Sequence, residues 1–314
     1  MAESKSIFLT VDGGTTNTRI TLVKNGEIRD TVKLPVGAGR GRDALAAALK
    51  EAIPAFLEQH GLRESDVTSI IASGMITSEY GLCRLEHLVI PAGVKELHDG
   101  MHETVIDEIT SIPFVFIRGV KTACRSLADA DMMRGEETEL FGLIDPAFGD
   151  CVYVLPGSHS KLIRVDERGR IVAFSTMLTG EMNAVLAQNT ILRDAVDIRT
   201  SELDADYLQK GYEACLENGL NHTLFRVRIL KNLFGAEPSA AYSFYLGAVL
   251  CGEIEQIRRS GATTVVLGGQ KHLRRAMATL LESCSAQRVI LLSDETVSGS
   301  TAVGAMRIYR GTEE

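Results

Sequence analysis

The sequence predicts an α/β protein built from two related lobes. Its 314 residues are more than one hydrophobic core usually supports. A pattern of strand, Gly/Ser/Thr turn, strand, Gly turn and strand occurs near residue 12 and again near residue 156. Such an internal repeat indicates two copies of one supersecondary unit. The rest of the second half is rich in predicted helix.

In the first half, the elements follow from apolar runs and turn residues. We predict strands at residues 7–11, 19–23, 27–34, 67–72 and 114–117, an extended segment at 88–94, and helices at 42–60 and 135–143. Asn25-Gly26 marks a tight turn, so the first three strands form an antiparallel meander. Pro54 predicts a break or kink in the first helix. The apolar positions of that helix are Leu45, Leu49, Ile53 and Leu57.

The second half repeats the opening and then continues with helices. We predict strands at residues 151–155, 161–165, 170–174, 263–267 and 288–292, and helices at 180–192, 205–216, 242–259, 274–283 and 300–310. When Asp12-Gly13 is aligned with Pro156-Gly157, the hairpin turns at Gly26 and Gly169 fall at similar offsets.

Composition excludes several classes of protein. The net charge is -8, and no cluster of Lys and Arg is dense enough to predict nucleic-acid binding. The six cysteines are scattered, with no Cys-x-x-Cys pair, which is typical of a reduced, cytoplasmic protein. The N-terminus lacks the pattern of a signal peptide, and no apolar run reaches the ~18 residues of a membrane span.

The first motif is the turn that follows residues 7–11. Glycines let a ligand approach the backbone closely, and the N–H groups of a turn can hold phosphate oxygens. Asp12, at the strand end, can bind Mg²⁺ through water, because Mg²⁺ needs only one or two carboxylates. An ordinary hairpin turn explains the same composition. The candidate nucleotide-binding residues are Asp12, Gly13, Gly14, Thr15, Thr16 and Asn17.

The second motif occupies the equivalent turn of the repeat. Two such turns, one per lobe, favour phosphate binding far more than one does, because they could clamp a polyphosphate across a cleft. His159 alone is also typical of a structural residue, and Lys161 of a solvated charge. The candidate residues are Gly157, Ser158, His159, Ser160 and Lys161.

The third motif is the acidic segment 131–140. Carboxylates in the first turn of a helix are stabilised by the helix dipole, so Glu136 and Glu137 could be simple capping charges. The functional alternative is a general base where the two lobes meet. Arg134 beside them offers a two-pronged contact to a carboxylate.

Two weaker patterns remain. Gly268-Gly269 follows a β-branched strand and would let a flat base lie against the backbone, although a plain strand-to-helix loop explains it almost as well. His98 and His102 have the spacing of two ligands on one helical face, but no third ligand is apparent, so a metal site there is not expected.

These motifs together resemble the acetate/sugar kinase, heat-shock and actin superfamily. The resemblance implies two duplicated ribonuclease-H-like lobes, the actin/hexokinase-type ATPase fold, with a cleft that closes on ATP. The turn at Asp12 resembles its first phosphate loop, that at Gly157 its second, and Thr263–Gly269 its adenosine loop. The superfamily's second loop usually opens with Asp. Pro156 stands there in this chain, which puts metal binding from the second lobe in doubt.

Within the superfamily the chain resembles 2-dehydro-3-deoxygalactonokinases nearly end to end. The specific segments are 133–138, 156–161 and 177–181, and 74–81 is also similar. The resemblance implies phosphorylation of the 6-hydroxyl of 2-dehydro-3-deoxy-D-galactonate by ATP with Mg²⁺. It implies Glu136 as the base, with Asp131 and Glu137 close seconds. The implied substrate-binding residues are Gly74, Met75, Ser78, Arg118 and Arg134.

The expected lobes are residues 1–133 and 134–314, with the final helix, residues 300–314, packing back on the first lobe. The expected partner is a small sugar acid, with no nucleic acid and no membrane, and a homodimer is left open. The alternatives are a related sugar or amino-sugar kinase with another acceptor, and a sugar-sensing regulator. A regulator would need a DNA-binding segment, for which the chain leaves no room before residue 7. A chaperone ATPase is less expected, because no peptide-binding domain follows.

Overall fold

The computed structural model describes residues 6–200 and 202–312. The strands are β1 (Ile7–Gly13), β2 (Thr18–Lys24), β3 (Glu27–Leu34), β4 (Ser69–Gly74), β5 (Leu88–Val89), β6 (His102–Ile106), β7 (Thr110–Phe116), β8 (Val120–Lys121), β9 (Met132–Met133), β10 (Cys151–Leu155), β11 (Ser160–Val165), β12 (Ile171–Met177), β13 (Thr264–Leu267) and β14 (Arg288–Leu291). The α-helices are α1 (Arg42–Gln59), α2 (Val94–Asp99), α3 (Glu136–Phe141), α4 (Thr179–Asn189), α5 (Ala205–Asn218), α6 (Leu220–Phe234), α7 (Pro238–Arg259), α8 (Lys271–Cys284) and α9 (Asp294–Arg310).

The chain divides into two compact units. The first contains the described residues up to Asp145, a short piece, Val165–Ala173, and the residues from Glu295 onwards. The second contains Pro146–Arg164 and Phe174–Asp294. Residues 134–145 thus lie in the first unit, whereas the sequence suggested a boundary at 133/134. Helix α3 accounts for the difference, because Gly304 of α9 and Thr138 of α3 approach so closely that a Cβ on Gly304 would lie 1.8 Å from the Thr138 carbonyl.

The first unit contains a six-stranded sheet with the order β3-β2-β1-β4-β7-β6. Strands β1, β2 and β3 form the predicted antiparallel meander. Asn25 and Gly26 make its turn with positive φ angles of 57° and 82°, as the favoured two-residue hairpin turn requires. Strand β4 pairs in parallel with β1 and with β7. The carboxyl ends of β1 and β4 therefore lie side by side.

Helix α1 contributes to the core of the first unit as predicted. Leu45, Leu49, Ile53 and Leu57 are all buried. Of the predicted break or kink at Pro54, the break is wrong, because α1 runs without interruption through this residue. Pro54 is exposed, so water can bond the backbone carbonyl that loses its helical N–H partner.

A second, small sheet in the first unit was not predicted. It has the order β5-β8-β9, and each strand has two residues. The segment 88–94, expected to be extended, supplies only β5 before α2 begins at Val94. Strand β9 lies within the acidic segment 131–140 and ends directly before Arg134. The small sheet therefore positions residues 134–137.

The second unit repeats the topology of the first. Its sheet has the order β12-β11-β10-β13-β14, which matches β3-β2-β1-β4-β7. Strands β10 and β11 are antiparallel, while β10–β13 and β13–β14 are parallel. The predicted duplication is thereby confirmed.

Helices α5 and α7 pack closely in the second unit through two glycines. A Cβ on Gly211 would lie 1.9 Å from the Phe244 carbonyl oxygen, and one on Gly247 would lie 2.0 Å from the Leu208 carbonyl oxygen. Helix α6 lies between them in sequence and was missed by the sequence analysis. It begins after Gly219 without a side-chain cap, so no start signal marks it.

We expect Gly247→Ala to lower the free energy of unfolding by ~1–3 kcal/mol, because the new methyl group forces α5 and α7 apart. The control is Gly252→Ala in the same helix. Gly252 is exposed and a Cβ there would meet nothing within 4 Å, so this change should raise stability by up to ~1 kcal/mol. Urea unfolding of both variants tests the packing. Equal effects of the two substitutions would contradict it.

Candidate active site

The turn after β1 is held by the loop that follows β3. The carbonyl oxygen of Gly14 accepts a hydrogen bond from the backbone N–H of Ala38 at 3.0 Å, and that of Thr15 accepts one from Gly39 at 2.9 Å. The N–H of Gly14 donates to the carbonyl of Asn17 at 2.9 Å, which closes the turn. Thr15 and Thr16 are exposed. The turn is therefore held by backbone hydrogen bonds and leaves two threonines exposed to solvent.

Asp12 lies near the end of β1, opposite Arg19 on β2. The Nη1 of Arg19 donates to the Oδ2 of Asp12 at 2.9 Å. Burial raises the pKa of Asp12, the Arg19 charge opposes that rise, and the negative charge of Glu136 adds to it. The carboxylates of Asp12 and Glu136 are therefore close enough to repel one another, which a bound cation would relieve.

Three glycines bring the first motif and the acidic motif together. A Cβ on Gly74 would lie 2.6 Å from the carbonyl oxygen of Gly13, and one on Gly135 would lie 3.1 Å from the Cα of Gly74. Gly74 and Gly135 also have positive φ angles, of 85° and 110°, which L side chains rarely adopt. The end of β1, the end of β4 and the start of α3 thus touch through their backbones.

The candidate bases differ in their surroundings. Glu137 is fully buried, and both its carboxylate oxygens accept the N–H of Gly135 at 2.9 Å. Glu136 is half-buried, and its Oε2 accepts the N–H of Arg134 at 3.1 Å. Asp131 is half-buried and accepts the N–H of Met132 at 2.7 Å. Both glutamates hold the backbone that enters α3, and the catalytic role of this segment stays a prediction.

Glu137 has the most perturbed carboxyl group of the motif. Burial, together with the charge of Glu136, raises its pKa to about 8, although the N–H of Gly135 and the charge of Arg134 act in the opposite direction. Glu137 is therefore mostly protonated at neutral pH, so it cannot accept a proton there.

Two of the expected substrate-binding residues, Ser78 and Arg118, donate to backbone carbonyl groups of the first unit. Ser78 follows the end of β4, and its Oγ donates to the Met75 carbonyl at 2.7 Å. Arg118 donates through Nε to the Gly100 carbonyl at 2.6 Å and through Nη1 to that of Glu86 at 3.1 Å. The role of these residues in substrate binding stays a prediction.

Arg134 is anchored to the segment after β4. Its Nη1 donates to the carbonyl oxygen of Thr77 at 2.7 Å and to the Thr77 hydroxyl at 2.6 Å. Its Nη2 donates to the carbonyl of Leu85 at 3.0 Å. Both terminal nitrogens thus already donate hydrogen bonds to protein oxygens. The expected contact to a substrate carboxylate stays a prediction.

The second turn packs on the start of α4. The carbonyl oxygens of Gly157 and Ser158 accept the N–H groups of Gly180 and Glu181, each at 3.1 Å. A Cβ on Gly180 would lie 2.3 Å from the Gly157 carbonyl. The Nε2 of His159 lies within hydrogen-bond distance of the Oε2 of Glu181, at 2.8 Å. Two segments singled out in the sequence, 156–161 and 177–181, therefore meet.

Ser160 and Lys161 do not behave as surface residues. Both are buried, and the Lys161 Nζ donates to the carbonyl of His159 at 3.0 Å.

The adjacent functional candidate that the sequence analysis missed is Glu253 of α7. Its Oε2 accepts the Thr179 hydroxyl at 2.5 Å, and its Oε1 is buried without a hydrogen-bond partner. Burial raises the pKa of Glu253 to about 7 against hydrogen bonds from Thr179 and Ser160. A charged residue within an apolar helical run was the only available signal.

The glycines after β13 lie beside this turn. The N–H of Gly268 donates to the Val154 carbonyl at 2.9 Å, and that of Gln270 to the Pro156 carbonyl at 2.7 Å. Gly269 has a φ of 64°, and a Cβ on it would lie 2.4 Å from the Pro156 carbonyl. The structure thus brings Gly268 and Gly269 against the second turn.

A divalent cation has a limited set of donors. Among residues 6–200 and 202–312, no group of three His, Cys, Asp or Glu side chains could hold a metal ion. His98 lies on α2 and His102 on β6, so they do not share a helical face. Asp12, with the charge of Glu136 nearby, fits Mg²⁺ held through its own water shell, which needs one or two carboxylates.

Comparison with known proteins adds independent findings. Residues 12–303 match the model of the 2-keto-3-deoxy-galactonokinase family. A curated relative from Rhizobium meliloti (strain 1021), named as a 2-dehydro-3-deoxygalactonokinase, is 27% identical over an alignment of 323 positions, which spans 96% of this chain and 97% of the relative.

Solved structures share the fold. A crystal structure from Sinorhizobium meliloti, named as a 2-dehydro-3-deoxygalactonokinase protein, superposes with a TM-score of 0.76 at 24% identity, covering 96% of this chain and 99% of that one. The activator of 2-hydroxyisocaproyl-CoA dehydratase from Clostridium difficile, with bound ADPNP, gives a TM-score of 0.52 at 13% identity over 97% of this chain and 95% of that one. The predicted actin/hexokinase-type ATPase fold is confirmed.

The raised pKa of Glu137 predicts a pH-dependent stability. A carboxyl group whose pKa is about 8 when folded and about 4.5 when unfolded binds its proton more tightly in the folded state. The contribution of Glu137 to stability is therefore greatest below pH 4.5 and declines as the pH rises to about 8. Glu137→Gln should remove this decline, so its free energy of unfolding relative to wild type should rise by more than ~1 kcal/mol across that window. Chemical denaturation at a series of pH values measures it.

The matched control is Glu51→Gln, which changes an exposed carboxylate on α1. Its free energy of unfolding should change with pH in parallel with that of the wild type. Parallel curves for the wild type and Glu137→Gln would instead mean that Glu137 does not hold its proton.

Proposed function

The chain belongs to the 2-keto-3-deoxy-galactonokinase family, and on this premise we propose how it transfers the γ-phosphoryl group of ATP to the 6-hydroxyl of 2-dehydro-3-deoxy-D-galactonate. As a member of the family the protein is a kinase of a keto-deoxy sugar acid. The observation that best supports the chemistry is the backbone contact of Gly13, Gly74 and Gly135. It brings a candidate metal-binding carboxylate and a candidate base into one place.

The transfer needs a group that takes the proton of the attacking hydroxyl. The hydroxyl oxygen bonds to the γ-phosphorus, the bond to the β-phosphate oxygen breaks, and ADP leaves. We assign Glu136 as the base that accepts this proton, because it is half-buried and lies near Asp12. Glu137 is unsuitable since its pKa of about 8 leaves it protonated. Asp131 remains the second candidate.

The nucleotide contacts are assigned to the two turns. Asp12 would hold Mg²⁺ through water, and the turn Gly13–Asn17 would bind phosphate oxygens with its N–H and hydroxyl groups. Mg²⁺, when bound, neutralises charge that develops on the transferred phosphoryl group. In the second unit, the turn from Gly157 to Lys161 and the pair Gly268-Gly269 are the proposed contacts. Glu253 supports that turn through Thr179 and Ser160.

The acceptor is tested by an ADP-release assay with a panel of 2-keto-3-deoxy sugar acids and neutral hexoses. The highest kcat/KM should belong to the galactonate derivative. A higher value for a neutral hexose would favour the alternative of a related kinase, and amino sugars added to the panel test the amino-sugar kinase in the same way.

No helix in the described residues is long and apolar enough to cross a membrane. The cytoplasmic location and a homodimer, both raised by the sequence, stay predictions.

The base assignment predicts a large difference between neighbouring carboxylates. Glu136→Gln should lower kcat by at least ~100-fold, because a general base contributes 10²–10⁴-fold. Its melting temperature should change little. Glu137→Gln is the matched control and should lower kcat much less. If Asp131→Asn gives the large loss and Glu136→Gln only a loss of stability, then Asp131 is the base and Glu136 a helix cap.

The metal assignment predicts a changed need for Mg²⁺. Asp12→Asn removes the charge that holds the hydrated ion, so the Mg²⁺ concentration at half-maximal rate should rise roughly 10- to 100-fold, as expected for a lost charge-assisted contact. The control is Asp43→Asn, an exposed carboxylate of the same unit. Near wild-type activity of Asp12→Asn at limiting Mg²⁺ would show that Asp12 is not the metal anchor.

A further inference from the structure

The small sheet of the first unit has one buried and one exposed face. Lys121 of β8 pairs with Val89 of β5 and with Met132 of β9. Because side chains alternate along a strand, these three lie on the same face. Val89 and Met132 are exposed, whereas Val120 and Met133, on the opposite face, are buried. Lys121 therefore belongs to the open face of the sheet.

When the same alternation is continued by one residue beyond β5 and β9, it places two further basic side chains on that face. His87 stands two residues before Val89, and Arg134 two residues after Met132. The two are in contact, since the Nη2 of Arg134 lies 3.3 Å from the Nδ1 of His87. Because Gly119 has no side chain, it leaves room for the His87 ring beside β9. A Cβ there would lie 2.8 Å from the Cδ2 of His87 and 2.5 Å from the Met133 carbonyl oxygen.

The protonation of His87 follows from its neighbours. Burial lowers its pKa to about 4, and the positive charges of Arg134 and Lys121 act in the same direction, while Glu86 opposes them. The ring is therefore neutral at pH 7. Because its Nδ1 accepts from Arg134, its proton is on Nε2. His87 thus offers one N–H donor beside two fixed positive charges.

The two cations are not equally available to a ligand. Arg134 donates through Nη1 and Nη2 to the carbonyl oxygens of Thr77 and Leu85. For Lys121, no carboxylate of the described residues lies within ion-pair distance, and it is only half-buried. An ammonium group without a counter-ion, next to a neutral N–H donor, is suited to a single carboxylate.

We propose that this face is the subsite for the substrate's carboxylate, with Lys121 and the Nε2–H of His87 as its ligands. The inference rests on the proposed function and deepens it. Arg134 acts here as a positioning residue, because it ties His87 to the segment after β4. The location of this face agrees with the proposed base, because the chain continues from the end of β9 through Arg134 to Glu136. One end of the sugar acid would bind at the small sheet while its terminal hydroxyl meets Glu136.

The test compares Lys121→Met with Lys121→Arg and with Lys50→Met, an exposed lysine of α1 in the same unit. KM and kcat are measured for the sugar acid, for ATP, and for a neutral analogue in which a hydroxymethyl group replaces the carboxylate. Calorimetry without ATP measures binding of the acid directly. Circular dichroism checks that each variant is folded.

Lys121→Met should raise KM and Kd for the acid roughly 10- to 100-fold, the loss of one charge-assisted contact. Its KM for ATP and its kcat/KM for the neutral analogue should stay within about 2-fold of the wild-type values. This change is much smaller than the effect of losing one charge-assisted contact. Lys121→Arg should recover part of the affinity, and Lys50→Met should match the wild type.

Three results would overturn the inference. One is an unchanged KM for the acid in Lys121→Met. The second is an equal loss for the acid and the neutral analogue, which would mean that Lys121 supports the fold of the site and does not bind the carboxylate. The third is a wild-type chain that neither binds nor phosphorylates the acid, which overturns the proposed function as well. The first two leave the proposed function intact.

Discussion

The close approach of three backbone segments at Gly13, Gly74 and Gly135 is the constraint on which the site of the first unit depends. Each of these glycines lies where a side chain would strike a neighbouring backbone or the side chain of Ile76. A methyl group at any of them would push apart the end of β1, the end of β4 and the start of α3. The pairing of β1 with β4 sets two of these segments side by side. The proximity of Asp12 and Glu136 follows from this contact.

Each unit places a buried glutamate beneath its functional segment. Glu137 holds the N–H of Gly135 with both oxygens, and Glu253 holds the hydroxyl of Thr179 at the start of α4. Burial raises their pKa values to about 8 and about 7. A buried acid is costly unless it is hydrogen-bonded or protonated. Both glutamates accept hydrogen bonds, and their raised pKa values favour the protonated form. They order the backbone that carries the site.

Recognition of charge is local in this acidic protein. The net charge is -8, yet His87, Lys121 and Arg134 gather on one face of the small sheet. The proposed metal and phosphate contacts lie elsewhere, at the end of β1 and in the turns that follow β1 and β10. Binding of the sugar acid and binding of the nucleotide can therefore respond to different substitutions. Net charge alone predicts neither, because a ligand responds to the charges within a Debye length of it.

The sequence by itself determined the features that depend on local order. The meander, the duplicated turn and the buried face of α1 at Leu45, Leu49 and Ile53 follow from apolar periodicity and turn residues within short windows. The acidic motif and both glycine turns were visible for the same reason. Their roles were not, since a carboxylate at a helix start has the same pattern whether it caps the helix or accepts a proton.

Only the tertiary structure decided the features that join distant residues. The small sheet aligns Val89, Lys121 and Met132, and strands of two residues carry no periodic signal. Glu253 reaches Thr179 across 74 positions of the chain. Helix α3 joins the first unit because α9, more than 150 residues later, packs on it through Gly304. Such contacts are chosen by packing between elements, which no local window of the sequence contains.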